Sequence, residues 1–178
     1  RRSSLAVKIG ISGLNSTGKT TLAKAVALDM SMEFVEEGIP AAIYHETTVP
    51  ERARLILEYA KEKKEKIQKY SNCVVDRTGI DIAMLILTRP KILPLEISQL
   101  AFEECKALAQ ELDLLVMLPE GVIPRKEGYN EAGLWRVANP LAITRNTILL
   151  NGLASEMHQP HQVLRMPKSA NTVESRIE

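Results

Sequence analysis

The run GLNSTGKT, Gly13 to Thr20, stands between the apolar stretch Leu5 to Ile11 and the helix-like Thr21-Leu22-Ala23-Lys24-Ala25-Val26-Ala27. Its spacing is GxxxxGK[ST], and in a strand-loop-helix setting each residue type has a task in holding phosphate. Gly13 and Gly18 let the backbone curl, so that the N–H groups of Leu14, Asn15, Ser16, Thr17, Gly18, Lys19, Thr20 and Thr21 face inward at the positive end of the following helix. Lys19 is expected to reach the β- and γ-phosphates, and the Thr20 hydroxyl to coordinate Mg²⁺. The expected ligand is a nucleoside triphosphate, read as ATP with Mg²⁺; these residues do not distinguish ATP from GTP.

A second stretch, Cys73-Val74-Val75-Asp76-Arg77-Thr78-Gly79, ends an apolar strand on an acid. Asp76 is there the expected second Mg²⁺ residue, acting through the water shell of the ion. A water-splitting motor would follow that acid with a glutamate. Arg77 stands there instead, a residue suited to a phosphate or to the transferred group. Asp76 to Gly79 also fits the DxxG of GTP switches, but no [NT]KxD segment follows to read guanine, and no transporter-type LSGGQ segment exists. Glu36 and Glu37 compete for one role, because alternation sends strand neighbours to opposite faces. His158 and His161, split by Pro160, do not share a helix face and are not read as a metal pair; His45 falls in an expected substrate-side loop, where it could bind.

These residues need strands that end together and helices that start there. Apolar runs predict strands near 5–11, 33–36, 73–76, 113–118 and 162–166, alternating with helices over Lys19 to Met30, Pro50 to Tyr70, Ile80 to Leu87 and Ser98 to Leu112. That alternation predicts a parallel sheet covered by helices. Asn139-Pro140 supplies a cap and start for a last helix, and Asn151-Gly152 a stop. The Lys-rich half of the second helix, with Glu62/Lys66 and Glu65/Lys69 pairs, reads as a solvated face. Residues 119–139, broken by Pro119, Gly121, Pro124, Gly128 and Gly133, form a connection long enough to suggest function. The polar stretch 167–178 reads as a loose tail.

The 178 residues suffice for one domain, here 1–166, and a net charge of +1 supplies no field to recruit nucleic acid or an anionic membrane. Hydrophobic residues at 45% and charged residues at 25% fit a soluble globular chain. Cys73 and Cys105 lack a CxxC spacing and read as buried free thiols, which, with no bilayer-length apolar run, points to the cytoplasm.

Taken together, GLNSTGKTTLAKAVA, Phe34-Val35-Glu36-Glu37, VVDRTGIDIAMLIL and Leu112 to Glu120 resemble the AAA_28-type P-loop kinases, which include the nicotinamide-riboside kinase domain and sit near thymidylate and nucleoside kinases. The resemblance covers about residues 6–166 and implies an α/β, three-layer P-loop NTPase fold: a five-stranded parallel sheet of order 2-3-1-4-5, helices on both faces and a lid after strand four. It matches Asp76 and Arg77 to the strand-three pair and puts Glu37 near an acceptor hydroxyl. It makes 119–139 the lid, whose basic residues Arg125, Lys126 and Arg136, with Arg145 beyond, would close over the triphosphate. Trp135 would anchor the lid base. Such kinases commonly read Glu-x-Ala-Arg after strand two, whereas this chain reads Glu37-Gly38-Ile39-Pro40, so its acceptor site either differs or is degenerate. The reading is a kinase that transfers the γ-phosphoryl group of ATP to a small nucleoside- or nucleotide-like acceptor, with Lys19, Glu37, Asp76, Arg77, Arg125 and Arg136 at work. The alternative is a regulatory P-loop NTPase that hydrolyses slowly and has no acceptor.

Overall fold

The computed structural model describes residues 6–15, 17–45, 48–88, 95–120, 128–129, 135–136, 139–170, 172 and 174–177. In chain order the elements are β1 (Lys8–Ser12), α1 (Lys19–Asp29), β2 (Glu33–Val35), α2 (Ala41–His45), α3 (Val49–Gln68), β3 (Cys73–Asp76), α4 (Gly79–Leu87), α5 (Leu95–Gln110), β4 (Leu114–Met117), β5 (Gly128–Tyr129), β6 (Trp135–Arg136), α6 (Pro140–Met157), β7 (Val163–Arg165) and α7 (Glu174–Ile177). A 3-10 turn at Pro160–Gln162 precedes β7. Five strands form one parallel sheet in the order β2-β3-β1-β4-β7. Counting only its members, that is the expected order 2-3-1-4-5. β5 and β6 make a separate antiparallel pair.

Strand alternation divides the core in two. Ile9 and Ile11 of β1, Val74 of β3 and Val116 of β4 face α1, where Leu22, Ala23 and Ala27 complete one cluster. Cys73 and Val75 of β3 with Leu115 and Met117 of β4 point to the other side and meet α3, α4, α5 and α6. Both cysteines are buried free thiols there. α4 lies innermost, with Gly79 to Met84 all buried.

Several expectations change. α6 does not stop at Asn151-Gly152 but runs to Met157, because Leu150, Leu153, Ala154 and Met157 bury one continuous stripe. Its start is as expected: Asn139 Oδ1 accepts from the Leu141 and Ala142 amides at 2.9 and 3.4 Å. On α3 the expected Glu62/Lys66 and Glu65/Lys69 pairs are replaced by Arg54 with Glu51 and Glu58, and by Lys64 with Glu104 of α5. Nor is the Lys-rich half wholly solvated, since Lys63 is 2% exposed. It occupies the stripe of Ile56, Ala60 and Ile67, and the packing of α3 on the sheet carries it inward. The stretch read as a loose tail contains α7, which packs on α1 and buries Arg176. The short helix α2 was not foreseen.

Candidate functional site

The β1–α1 loop carries both left-handed glycines that the motif requires, Gly13 at φ 151° and Gly18 at φ 85°. A Cβ on Gly13 would also meet the Leu118 carbonyl at 3.2 Å. The Leu14 carbonyl closes the loop by accepting from Thr17 Oγ1 at 2.8 Å and from Lys19 Nζ at 2.7 Å. Lys19 is thus folded back onto its own loop. It is 5% exposed, and burial, reinforced by the Arg77 charge, pushes its pKa down to about 8. A phosphate anion would restore the charged form and supply a better partner than a carbonyl. Ser16 lies outside the described residues.

β3 runs beside β1 with Ile11 level with Asp76, which brings the second motif to the loop. Thr20 Oγ1 donates to Asp76 Oδ2 at 2.6 Å. Asp76 is fully buried, and its Oδ1 has no partner. Burial pushes its pKa up, against the Thr20 hydroxyl and the Lys19 charge that pull it down. A hydroxyl beside a carboxylate with one orphaned oxygen is a hard-oxygen donor set that fits Mg²⁺, an ion that keeps several waters and takes its other ligands from substrate phosphates.

Arg77 leaves the strand in the left-handed region, at φ 63°, while its amide still donates to Ile11 O at 3.0 Å. That turn aims the guanidinium sideways. Nη2 donates to Asn15 Oδ1 of the loop at 2.8 Å, and Nε lies 2.7 Å from Glu37 Oε1. Glu37 is therefore the acid turned to the site, whereas Glu36 is exposed.

Three supporting side chains, Lys63, Tyr59 and Asp81, go beyond the sequence reading. Lys63 Nζ donates to Glu36 O at 2.8 Å, Glu37 O at 3.0 Å and Asp76 O at 2.7 Å, tying the end of β3 to the segment after β2. Tyr59, one turn earlier, also donates its hydroxyl to Glu37 O. The signal for Lys63 was its place on the apolar stripe of α3. Asp81 Oδ2 accepts from Ser12 Oγ at 2.6 Å and from the Thr78 amide at 2.8 Å, coupling β1 to the start of α4. The spacing Thr78-x-x-Asp81 is legible as a helix start.

The loop, Asp76 and Arg77 lie where the chain's course over the sheet reverses, between β1 and β3, where open α/β sheets bind ligands. On the β4/β7 side of the loop, a cleft of about 250 Å³ lies between Leu14, Pro119, Glu120, Asn151 and Lys168. Arg125, Lys126 and the side chains of Trp135 and Arg136 fall outside the described residues, so the lid expectation rests on sequence. Arg145 is exposed, and its Nε donates to the neighbouring Asn146 Oδ1 at 3.1 Å. His45 is exposed at the end of α2, and His158 is buried at the end of α6.

The family described as the ATPase family associated with various cellular activities (AAA) matches residues 9–76, from β1 through β3. Among solved structures, deoxyadenosine kinase from M. mycoides is 13% identical, with a TM-score of 0.68 over 96% of this chain and 94% of that one. Thymidylate kinase from Candida albicans is 15% identical, with a TM-score of 0.62 over 97% and 88%. The fold is that of the P-loop kinases. NadR, in its complex with NAD and AMP-PNP, is 20% identical, with a TM-score of 0.60; the match covers 97% of this chain and 49% of that one. This chain thus spans about half the length of NadR. No curated protein matches the sequence.

Proposed function

We propose that this chain is an ATP-dependent small-molecule kinase of the AAA_28 type, with a nucleoside- or nucleotide-like acceptor. The observation that carries the proposal is the Arg77–Glu37 pair, held beside the phosphate loop by a left-handed turn where a hydrolytic motor would have a second acid after Asp76. The kinase neighbours and the AAA match support the coarser class, a P-loop kinase or NTPase.

In this reading Lys19 and the loop amides hold the phosphates, and Thr20, with Asp76 acting through the water shell, would hold Mg²⁺, which would supply charge neutralisation. An acceptor hydroxyl enters on the β2/β3 side. Its oxygen bonds to the γ-phosphorus as the bond to the β–γ bridging oxygen breaks, ADP leaves, and the hydroxyl proton passes to the Glu37 carboxylate. Arg77, freed from Glu37 by the incoming group, neutralises the transferring phosphoryl; the lid that the sequence suggests would add the charges of Arg125 and Arg136. Water must be kept out until the acceptor arrives.

Labelled ATP incubated with nucleosides, nucleotides and nicotinamide riboside tests this. The expected result is slow hydrolysis alone, rapid transfer to one acceptor class, and a loss of about 10²-fold or more in transfer for Glu37→Gln with ATP affinity kept. Brisk hydrolysis that no acceptor alters would replace the kinase with an NTPase, and slow hydrolysis with transfer to none of the acceptors would replace it with the regulatory NTPase.

A further inference from the structure

Arg176 is 8% exposed, yet no carboxylate pairs with it among the described residues. Burying an unpaired guanidinium is costly, so its placement calls for a return beyond simple packing. Two of its nitrogens are committed to main-chain oxygens. Nε donates to Ala170 O at 2.8 Å, within its own segment, and Nη1 donates to Thr17 O at 2.9 Å, 159 residues away in the phosphate loop. Nη2 is buried without a partner. The turn that presents Arg176 is itself built: the Ser175 amide donates to Thr172 Oγ1 and the Thr172 amide to Ser175 Oγ, each at 3.1 Å.

The contacted oxygen matters. Thr17 C=O and Gly18 N–H are the two ends of one peptide, and Gly18 is the left-handed residue that starts α1. In a loop of this spacing that N–H is one of the donors turned toward phosphate. A cation on the carbonyl fixes the plane of the peptide and polarises it, which makes the N–H a stronger donor. From the other side, the Thr17 hydroxyl anchors the same residue to Leu14 O.

We infer that Arg176 is a positioning residue of the phosphate loop, and that α7 is coupled through it to occupancy of the site by a nucleoside triphosphate. The inference rests on the reading of Gly13 to Thr21 as a triphosphate site. Because coupling is reciprocal, nucleotide must tighten the seating of α7 by as much as seating tightens nucleotide.

The test titrates Mg²⁺–AMP-PNP by calorimetry into the wild type, Arg176→Met, Arg176→Lys and Lys19→Ala, with amide exchange of 174–177 followed in the wild type. Arg176→Met is expected to weaken binding about tenfold, and Arg176→Lys to recover part of it, since an ammonium can still reach Thr17 O. Nucleotide is expected to slow exchange at 174–177. A structural role alone would not slow exchange at 174–177 beyond the general slowing that any ligand bound to the fold produces. If Lys19→Ala abolishes binding while Arg176→Met binds like the wild type, or if nucleotide leaves exchange at 174–177 unchanged, the coupling is wrong and the phosphate site stands. If Lys19→Ala itself binds normally, the triphosphate reading fails and takes this inference with it.

Discussion

At the scale of single residues, the site is organised by cations placed on oxygens, main-chain ones for Lys19, Lys63 and Arg176 and side-chain ones for Arg77. Arg77 holds a backbone angle that costs a non-glycine residue about 1 kcal/mol, and its contacts to Asn15 and Glu37 explain why the conformation is kept. Lys63 spans the carbonyls of Glu36, Glu37 and Asp76, so one ammonium bridges the segment after β2, which carries Glu37, and the end of β3, which carries Asp76. Replacing it by Met keeps the length of the stem and removes the donors. Lys63→Met is expected to lower stability by about 1–3 kcal/mol through the oxygens left unpaired. It should also reduce kcat for transfer far more than affinity for ATP, because the phosphate loop keeps its own bonds. Urea denaturation with steady-state kinetics would check both, and an equal loss in kcat and affinity would mean that Lys63 supports the loop rather than the acid.

Elements set the limits within which these residues act. Gly79, the last residue of the DxxG match, starts α4 where a Cβ would lie 2.0 Å from the Cys105 carbonyl oxygen of α5. Its presence follows from close helix packing and needs no guanine switch. Gly152 sits in the exposed middle of α6 with nothing within 4 Å of its Cβ position. The two glycines should therefore respond oppositely to alanine. Gly152→Ala is expected to stabilise by about 1 kcal/mol, from helix propensity alone. Gly79→Ala should destabilise by about 2 kcal/mol or more, since backbone must move to admit the methyl group. Urea midpoints at constant m-value decide between these signs.

For the whole molecule, the buried titratable groups predict how stability follows pH. Lys19 and Lys63 have pKa values near 8 in the fold, against an ordinary 10.5, because burial disfavours their charge. Below pH 8 both are protonated in the folded and unfolded states, and the fold bears the cost of two buried charges. As pH rises through 8, the folded protein releases these protons while the unfolded chain keeps them, so stability should rise. Above about 9 the thiols oppose this: burial pushes Cys105 up to about 12 and raises Cys73, so the unfolded chain then loses protons that the fold retains. Chemical denaturation from pH 7 to 11 is expected to show stability climbing from 8 to 9 and then levelling or falling. Saturating ATP should remove the Lys19 share of the climb, and Lys63→Met the other. A flat profile from 7 to 9 would show that these lysines are not desolvated in solution.

Much of this was legible without coordinates, for local reasons. Glycine spacing, an acid closing an apolar strand and the alternation of strand and helix periods are short-range signals, and they were enough for the phosphate loop, for Asp76 and Arg77 beside it, and for the parallel sheet. The resemblance carried by those motifs supplied the strand order. Tertiary structure decided which way ambiguous side chains turn. Lys63 read as one more solvated lysine because interleaved charges masked the Ile56-Ala60-Ile67 stripe on which it stands. The stop at Asn151-Gly152 was overridden because Leu153 and Met157 gain more by burial than glycine loses in helix propensity. Arg176 meets Thr17 across almost the whole chain, and no local pattern records a contact of that range. Sequence could name the chemical groups, but only packing could bring the distant ones together.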